Sequence, residues 1–236
     1  MAVCAALCKQ ADTIIEVGAN VGTETVCFAD IVGPHGQVFA LEPDEENYRA
    51  LVRMVELNGF SNVHVVRCAA GDREGTVQFE PTPDRGMSGL GFVREEGSSS
   101  GLAVEVRRLD WWYERGLTKV DAVFIDVEGY EPAVLRGATG LLLTSRPVMV
   151  LEASPPLLER SGSSLKDLSQ QLSQLRYQCF TIGRFGLEAC NLRTRRAENW
   201  LCLPVEKAKL AEKVQLTLQR AGWMPMIRGL NPLARR

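Results

Sequence analysis

The sequence predicts an α/β fold, a mostly parallel sheet with helices on both faces. Three observations carry this. The chain alternates strand-like and helix-like segments in the order β-α-β-α-β between Thr13 and Arg67. A glycine-bearing turn, Gly18-Ala19-Asn20-Val21-Gly22, joins the first strand to the helix after it. Further on, two apolar runs, Val120–Asp126 and Pro147–Glu152, flank a helical segment. Strands alternating with helices imply parallel pairing through right-handed crossovers.

Met1–Leu7 is apolar but lacks a basic leader and a full hydrophobic segment, so it reads as a helix end and not as a signal peptide. Thr13–Glu16 is β-branched and apolar, a buried strand. Thr23–Val32 gathers Ala, Phe, Ile and Val on one helical face and is closed by Gly33-Pro34. Gln37–Glu42 is the second strand. Pro43-Asp44 offers a cap for the helix Glu45–Leu57, which stops at Asn58-Gly59. Val63–Arg67 is the third strand, and Ala69-Ala70-Gly71-Asp72 reads as a turn. Thr76–Phe79 and Ala103–Arg108 read as strands on either side of a loop, Pro81–Gly101, rich in Gly, Ser, Pro and charge. A loop of that length is expected to be a lid. Trp111-Trp112-Tyr113 opens a short helix. After the strand ending at Asp126 comes a helix, Glu131–Leu143, then the strand ending at Glu152. Leu165–Leu175 is an amphipathic helix. Gln178–Ile182 and Asn199–Leu203 are expected as an antiparallel edge pair, and Glu206–Gln219 as a terminal helix before a tail from Trp223.

Composition narrows the class. The chain has 236 residues, 45% hydrophobic and 24% charged, with a formal charge of −2. This suits one domain, 1–236, with a core at 12–204, the lid at 81–101 and a helix and tail at 205–236. The near-neutral balance gives no general attraction to nucleic acid or to anionic membranes. Arg193, Arg195 and Arg196 read as a solvated turn. No apolar run reaches the roughly 18 residues of a membrane span. Seven scattered cysteines without a C-x-x-C pair, and two histidines, argue against zinc and for buried thiols in a cytoplasmic protein. A homo-oligomer is left open.

Four strands end in a carboxylate: Glu16, Glu42, Asp126 and Glu152. In open α/β sheets, ligands bind at the carboxyl ends of the strands. Glu42 lies 20 residues after Gly22, where an acidic residue accepts hydrogen bonds from a ribose diol. That spacing fits either NAD or S-adenosylmethionine. The turn discriminates. It is expected to present backbone N–H groups and a helix N-terminus to a ligand. A dinucleotide turn needs glycine where this chain has Asn20, and Glu16 repels a pyrophosphate. A sulfonium cofactor with an α-amino group suits Glu16 instead.

At these residues the chain resembles the FkbM-type family of S-adenosylmethionine-dependent methyltransferases. The matching pieces are Glu16 to Gly22, Leu41-Glu42-Pro43, Ala70-Gly71-Asp72 with Gly75, and Ile125-Asp126-Val127-Glu128-Gly129-Tyr130-Glu131. Leu135-Arg136-Gly137-Ala138, the strand ending at Glu152 and Glu198 to Pro204 extend the match. The resemblance implies a class I methyltransferase fold with a seven-stranded sheet. It also implies O-methylation of a hydroxyl on a saccharide or natural product. It implies that Glu16, Gly18, Asn20 and Gly22 border the methionine part of the cofactor and the adjoining ribose. Glu42 and Pro43 would hold the ribose, Cys68, Ala69 and Ala70 the adenine, and Asp126 the methionyl amino group or the acceptor. The segment before the first strand is shorter than the family's usual one, so part of the acceptor pocket is expected from elsewhere, a partner subunit included.

A hydroxyl acceptor needs a base. His35 and His64 lie away from the crevice, which leaves Asp126, Glu128 and Glu152 as candidates. No metal is assigned, although the same carboxylates are of the kind that bind magnesium. In the lid, Arg85, Met87, Ser88, Phe92 and Arg94 would grip the acceptor. Trp111 and Trp112 are expected to pack at the sheet edge. Two alternatives stand beside the methyltransferase: an NAD-dependent oxidoreductase and a catalytically silent cofactor-binding module.

Overall fold

The computed structural model describes residues 2–81, 91–94 and 101–223. Helix α1 (Ala2–Leu7) leads into β1 (Thr13–Val17), α2 (Thr23–Val32), β2 (Gln37–Leu41), α3 (Glu45–Leu57) and β3 (Val63–Val66). Next come β4 (Ala69–Ala70), β5 (Gly75–Pro81), β6 (Gly91–Arg94), β7 (Leu102–Arg107) and α4 (Asp110–Tyr113). The chain continues through β8 (Ala122–Ile125), α5 (Glu131–Arg136), α6 (Thr139–Ser145), β9 (Val148–Ala153) and α7 (Pro155–Arg160). It closes with α8 (Leu165–Gln174), β10 (Tyr177–Gly183), β11 (Gly186–Ala189), β12 (Glu198–Pro204) and α9 (Leu210–Trp223).

The main sheet runs β11-β10-β12-β9-β8-β1-β2-β3. Strands β9, β8, β1, β2 and β3 pair in parallel, as the β-α-β alternation predicts. Strands β12, β10 and β11 add antiparallel pairings. The sheet thus holds the seven expected strands plus a short eighth, β11, outside the predicted pair. Its apolar layers follow the two-residue strand period. Ile15 and Val17 face a core made with α5, α6 and α8, and Ile14 faces one made with α1, α2 and α9. On the second face the rings of Phe28 and Phe124 stack at 4.3 Å, fastening α2 to β8. Burying rings of this size contributes about 2–3 kcal/mol each.

Local chemistry sets several boundaries. Asp44 caps α3, accepting from the N–H groups of Glu46 and Asn47 at 2.9 Å each. Ser164 caps α8 through the N–H of Asp167. The helix expected over Glu131–Leu143 is broken into α5 and α6. The buried Asp110 carboxylate accepts from Gly140 N–H at 2.9 Å and Leu141 N–H at 2.8 Å, so a remote acid restarts the helix.

A second, four-stranded sheet runs β4-β7-β5-β6. Ala69-Ala70, expected as a turn, is its strand β4, paired with Val106 and Arg107. The expected lid contains β6, which pairs with β5. The remainder of that segment, 82–90 and 95–100 with Arg85, Met87 and Ser88, lies outside the described residues, as does the tail beyond 223. The terminal helix is displaced: a single 3-10 turn, Val205–Lys207, precedes α9. Among the described residues no helix is long and apolar enough to cross a membrane.

Candidate functional site

Strand β1 lies between β8 and β2, and the chain winds away from it in both directions. Such a switch point opens a crevice at the carboxyl ends of the strands. All four strand-end carboxylates stand there. Glu42 and Asp126 lie one residue past β2 and β8, and Glu16 and Glu152 lie within β1 and β9. Strand alternation puts Glu16, Asp126 and Glu152 on the face that carries α1 and α2, with Ile14, Phe124 and Val150.

The glycine loop is shaped by two close approaches. Gly18 has φ +86°, and a Cβ there would run into the carbonyl oxygen of Asp126. Gly22 has φ +90°, and its Cβ would sit 2.5 Å from Leu51 Cδ1. Between them Asn20 adopts φ +50°, a left-handed conformation uncommon for a side-chain-bearing residue.

The loop does not present its N–H groups to a ligand as expected. Gly18 and Ala19 both donate to the Leu41 carbonyl at 3.0 Å. Asn20 N–H donates to Glu42 Oε2 at 2.8 Å, and Val21 N–H to Asn20 Oδ1 at 2.6 Å. Gly22 N–H donates to the Ala19 carbonyl at 2.9 Å. Every backbone donor from Gly18 to Gly22 is therefore engaged inside the protein. The acidic Glu42 and the short Asn20 side chain close the loop on itself, where a dinucleotide loop keeps its donors for phosphate.

The loop forms a ridge between two compartments that share Gly18, Asn20 and Asp126. One is mainly apolar, walled by Leu41, Pro43, Ala69 and Ala70, with Glu42 inside it. Phe79, on a strand the sequence predicts, and Val93, on one it does not, complete this wall from the small sheet. The other, of about 590 Å³, is lined by Glu16, Glu24, Asp126 and Glu152. Among the described residues no Lys, Arg or His lines either compartment.

Burial raises these carboxyl groups. Glu16 accepts from the Thr25 hydroxyl at 2.5 Å, yet burial pushes it up to about 8. Glu42 is pushed to about 7, burial outweighing donation from the N–H groups of Asp44 and Asn20. Carboxylate oxygens of Asp126, Glu128 and Glu152 lie within 4.8 Å of one another. Burial and then repulsion from Asp126 and Glu128 raise Glu152 to about 7. Asp126 and Glu128 are raised as well, chiefly by burial. Asp126 meets solvent at the mouth, but the walls around it remove enough water to disfavour its charge. Like charge among the three adds to burial in the same direction.

Glu128 has φ +55° and is held from below. Glu131 Oε1 accepts from Val127 N–H at 3.3 Å and Gly129 N–H at 3.2 Å. Arg160 Nη2 donates to the Glu128 carbonyl at 2.8 Å, and Ser161 Oγ to the Gly129 carbonyl at 2.6 Å. Glu131 is 1% exposed, and its Oε2 has no hydrogen-bond partner among the described residues. Burial lifts its carboxyl to about 7. In sequence it reads as a helix-starting acid; in the fold it also fixes the loop that carries Glu128. Arg160 had no sequence signal.

Other candidates lie elsewhere. His64 stacks on Phe39 at 4.7 Å in β3. Trp111 is sandwiched between Arg107 and Arg115, 4.5 and 4.0 Å from its ring, and Trp112 is buried. Arg195 pairs with Glu159 on the surface.

Comparison with known proteins follows the same lines. The family described as Methyltransferase FkbM domain matches residues 16–179. The 2-O-methyltransferase NoeI of Sinorhizobium fredii is 30% identical over 157 residues, 58% of this chain and 62% of NoeI. The hexuronic acid methyltransferase AglP of Haloferax volcanii is 30% identical over 181 residues, 75% of this chain and 72% of AglP. The crystal structure of a methyltransferase FkbM from Methylobacillus flagellatus matches with a TM-score of 0.54 at 18% identity, over 81% of this chain and 43% of that one. That likeness shows the class I methyltransferase fold. The chain spans less than two thirds of NoeI and less than half of the crystallised protein.

Proposed function

This chain belongs to the FkbM methyltransferase family, and we propose that it transfers a methyl group from S-adenosylmethionine to a hydroxyl of a saccharide. One observation carries the choice of cofactor. A compartment with apolar walls that holds Glu42, and is bordered by Asp126 and Glu128, adjoins one lined by Glu16, Glu24, Asp126 and Glu152, with no basic side chain among the described residues lining either. The first suits adenosine, its ribose diol against Glu42. The second suits cationic ammonium and sulfonium groups and repels a pyrophosphate. The closed Gly18–Gly22 loop adds to that repulsion, so nothing here favours NAD.

When bound, S-adenosylmethionine supplies an electrophilic methyl group on sulfur. The protein's residues bind, orient and take a proton. Gly18, Asn20 and Gly22 shape the ridge under the cofactor, and Pro43, Ala69 and Ala70 wall the adenine. In the acceptor reaction the hydroxyl oxygen would gain the methyl as the methyl–sulfur bond breaks and S-adenosylhomocysteine leaves, and the hydroxyl proton would pass to a carboxylate. Glu152 is the base we assign, because a carboxyl raised to about 7 is matched to proton removal near neutral pH. Asp126 and Glu128, beside it, orient the hydroxyl. The 2-O-methyl and hexuronic acid specificities in the names of NoeI and AglP support a saccharide as the acceptor class.

Calorimetry with S-adenosylhomocysteine and with NAD tests the cofactor. Binding of the first without the second is expected, and the reverse overturns the proposal. Mass spectrometry of a saccharide panel after incubation with S-adenosylmethionine tests the reaction. The expected product gains one methylene unit of mass, and binding without any transfer would leave a silent module.

A further inference from the structure

A groove of about 740 Å³ opens beside the apolar compartment and shares Val93, Glu128 and Tyr130 with it. Of the three cavities at this edge, it alone has cationic side chains in its described wall. Arg136 ends α5, and Arg160 ends α7. We propose that this groove seats the methyl acceptor, and that the acceptor is a saccharide bearing one carboxylate, recognised by Arg136 and Arg160. The inference rests on the methyl-transfer reading above and adds the acceptor's charge.

Location comes first. The wall shared with the cofactor side carries Glu128, whose carboxylate lies within 4.8 Å of those of Asp126 and Glu152. Glu128 therefore stands between a sugar in the groove and Glu152, which lines the neighbouring carboxylate compartment. Pro132 and Ala133 offer an apolar patch for a sugar face, and Ser163 a hydroxyl for its rim.

Charge comes second. Both guanidinium groups are anchored. Arg136 meets Asp72 Oδ2 through Nε at 2.8 Å and Nη2 at 2.7 Å, leaving Nη1 for a ligand, and Arg160 Nη2 donates to the Glu128 carbonyl at 2.8 Å. Anchoring fixes the plane of each fork in advance, which lowers the ordering cost of binding a planar carboxylate. The opposing charges are Glu128 and Asp167 on the wall and Asp72 behind Arg136. Asp167 is itself engaged by Ser164 Oγ at 2.6 Å. Those three acids offset the two guanidinium groups, so recognition of a carboxylate rests on local hydrogen bonding to the forks and not on a net positive field, and a dianionic phosphate monoester meets more repulsion than a monoanion.

The test compares three acceptors at low ionic strength: a methyl hexuronoside, its neutral methyl ester and a hexoside phosphate monoester. Roughly tenfold higher kcat/KM is expected for the free acid over each of the others. Arg160→Gln and Arg136→Gln should each lower the acid-to-ester ratio about tenfold, and Arg160→Lys should keep most of it. An ester or phosphate used as well as the acid, a ratio unmoved in both Gln variants, or no transfer to the acid overturns the proposal. Binding of S-adenosylhomocysteine separates the two levels. If it binds and the ester is methylated as fast as the acid, only the acceptor assignment falls. If it does not bind, the methyl-transfer reading falls with it.

Discussion

The backbone N–H of Asn20 donates to the Glu42 carboxylate at 2.8 Å, tying the glycine loop after β1 to the residue that follows β2. The other oxygen of Glu42 accepts from Asp44 N–H at 2.9 Å. One side chain thus braces a left-handed residue, shapes the start of α3 and faces the compartment we assign to adenosine.

Glu42→Ala should weaken S-adenosylhomocysteine binding by about 100-fold or more, because it removes the ribose acceptor and frees the loop. The two orphaned N–H groups should lower stability by about 1–3 kcal/mol. Glu42→Gln keeps a carbonyl acceptor and should fall between. Calorimetry and urea melts of the three proteins check both effects.

Gly18→Ala should destabilise the fold by about 2–4 kcal/mol, since its Cβ meets the Asp126 carbonyl and its φ is left-handed. Any surviving folded protein should bind cofactor poorly, because relief requires β1 and β8 to part at the crevice. Thermal melts and ligand titration check this.

Glu16 should make the unliganded protein less stable as pH rises. Its folded value, about 8, lies above the ordinary 4.5. Between those values the folded state holds a proton that the unfolded chain has released, so this contribution is full below the lower value and is lost on the way to the higher. The slope for one such proton is about 1.4 kcal/mol per pH unit. Glu42, Glu131 and Glu152 add in the same sense. Glu16→Gln should flatten the profile, and urea melts from pH 5 to pH 8, roughly the interval of this linkage, measure the difference.

Glu152→Gln should lower the single-turnover rate by about 10²–10⁴-fold. In the parent protein the rate should rise with pH and level off above the Glu152 value of about 7. That limb should vanish in the variant. A chelator should leave the parent rate unchanged; a loss that magnesium restores would instead make Asp126, Glu128 and Glu152 metal ligands.

Much of the site was legible because it depends on strand ends. A short apolar run that closes on an acid shows which residue stands at its carboxyl edge, so Glu16, Glu42, Asp126 and Glu152 could be grouped from the sequence. The use of the loop's donors was not legible. Whether Asn20 N–H faces a ligand or Glu42 depends on a contact across 22 residues. The two-residue strand β4 is too short for any period, so Phe79 and Val93 were not linked to the adenosine wall. The break between α5 and α6 depends on Asp110, 30 residues before Gly140. Glu131 gave a partial signal: an acid two residues after a Glu-Gly pair can reach back to the turn's N–H groups.

The contact of Gly18 with the Asp126 carbonyl has a consequence for how such a protein diversifies. The partition between the donor's two compartments is main chain at that point, and main chain offers substitution almost nothing to alter short of breaking the fold. The groove at α5 and α7 is surfaced by side chains instead, each replaceable alone. On the site assignments proposed above, changes of acceptor are thereby open to single substitutions, while the methyl donor's seat is inherited whole.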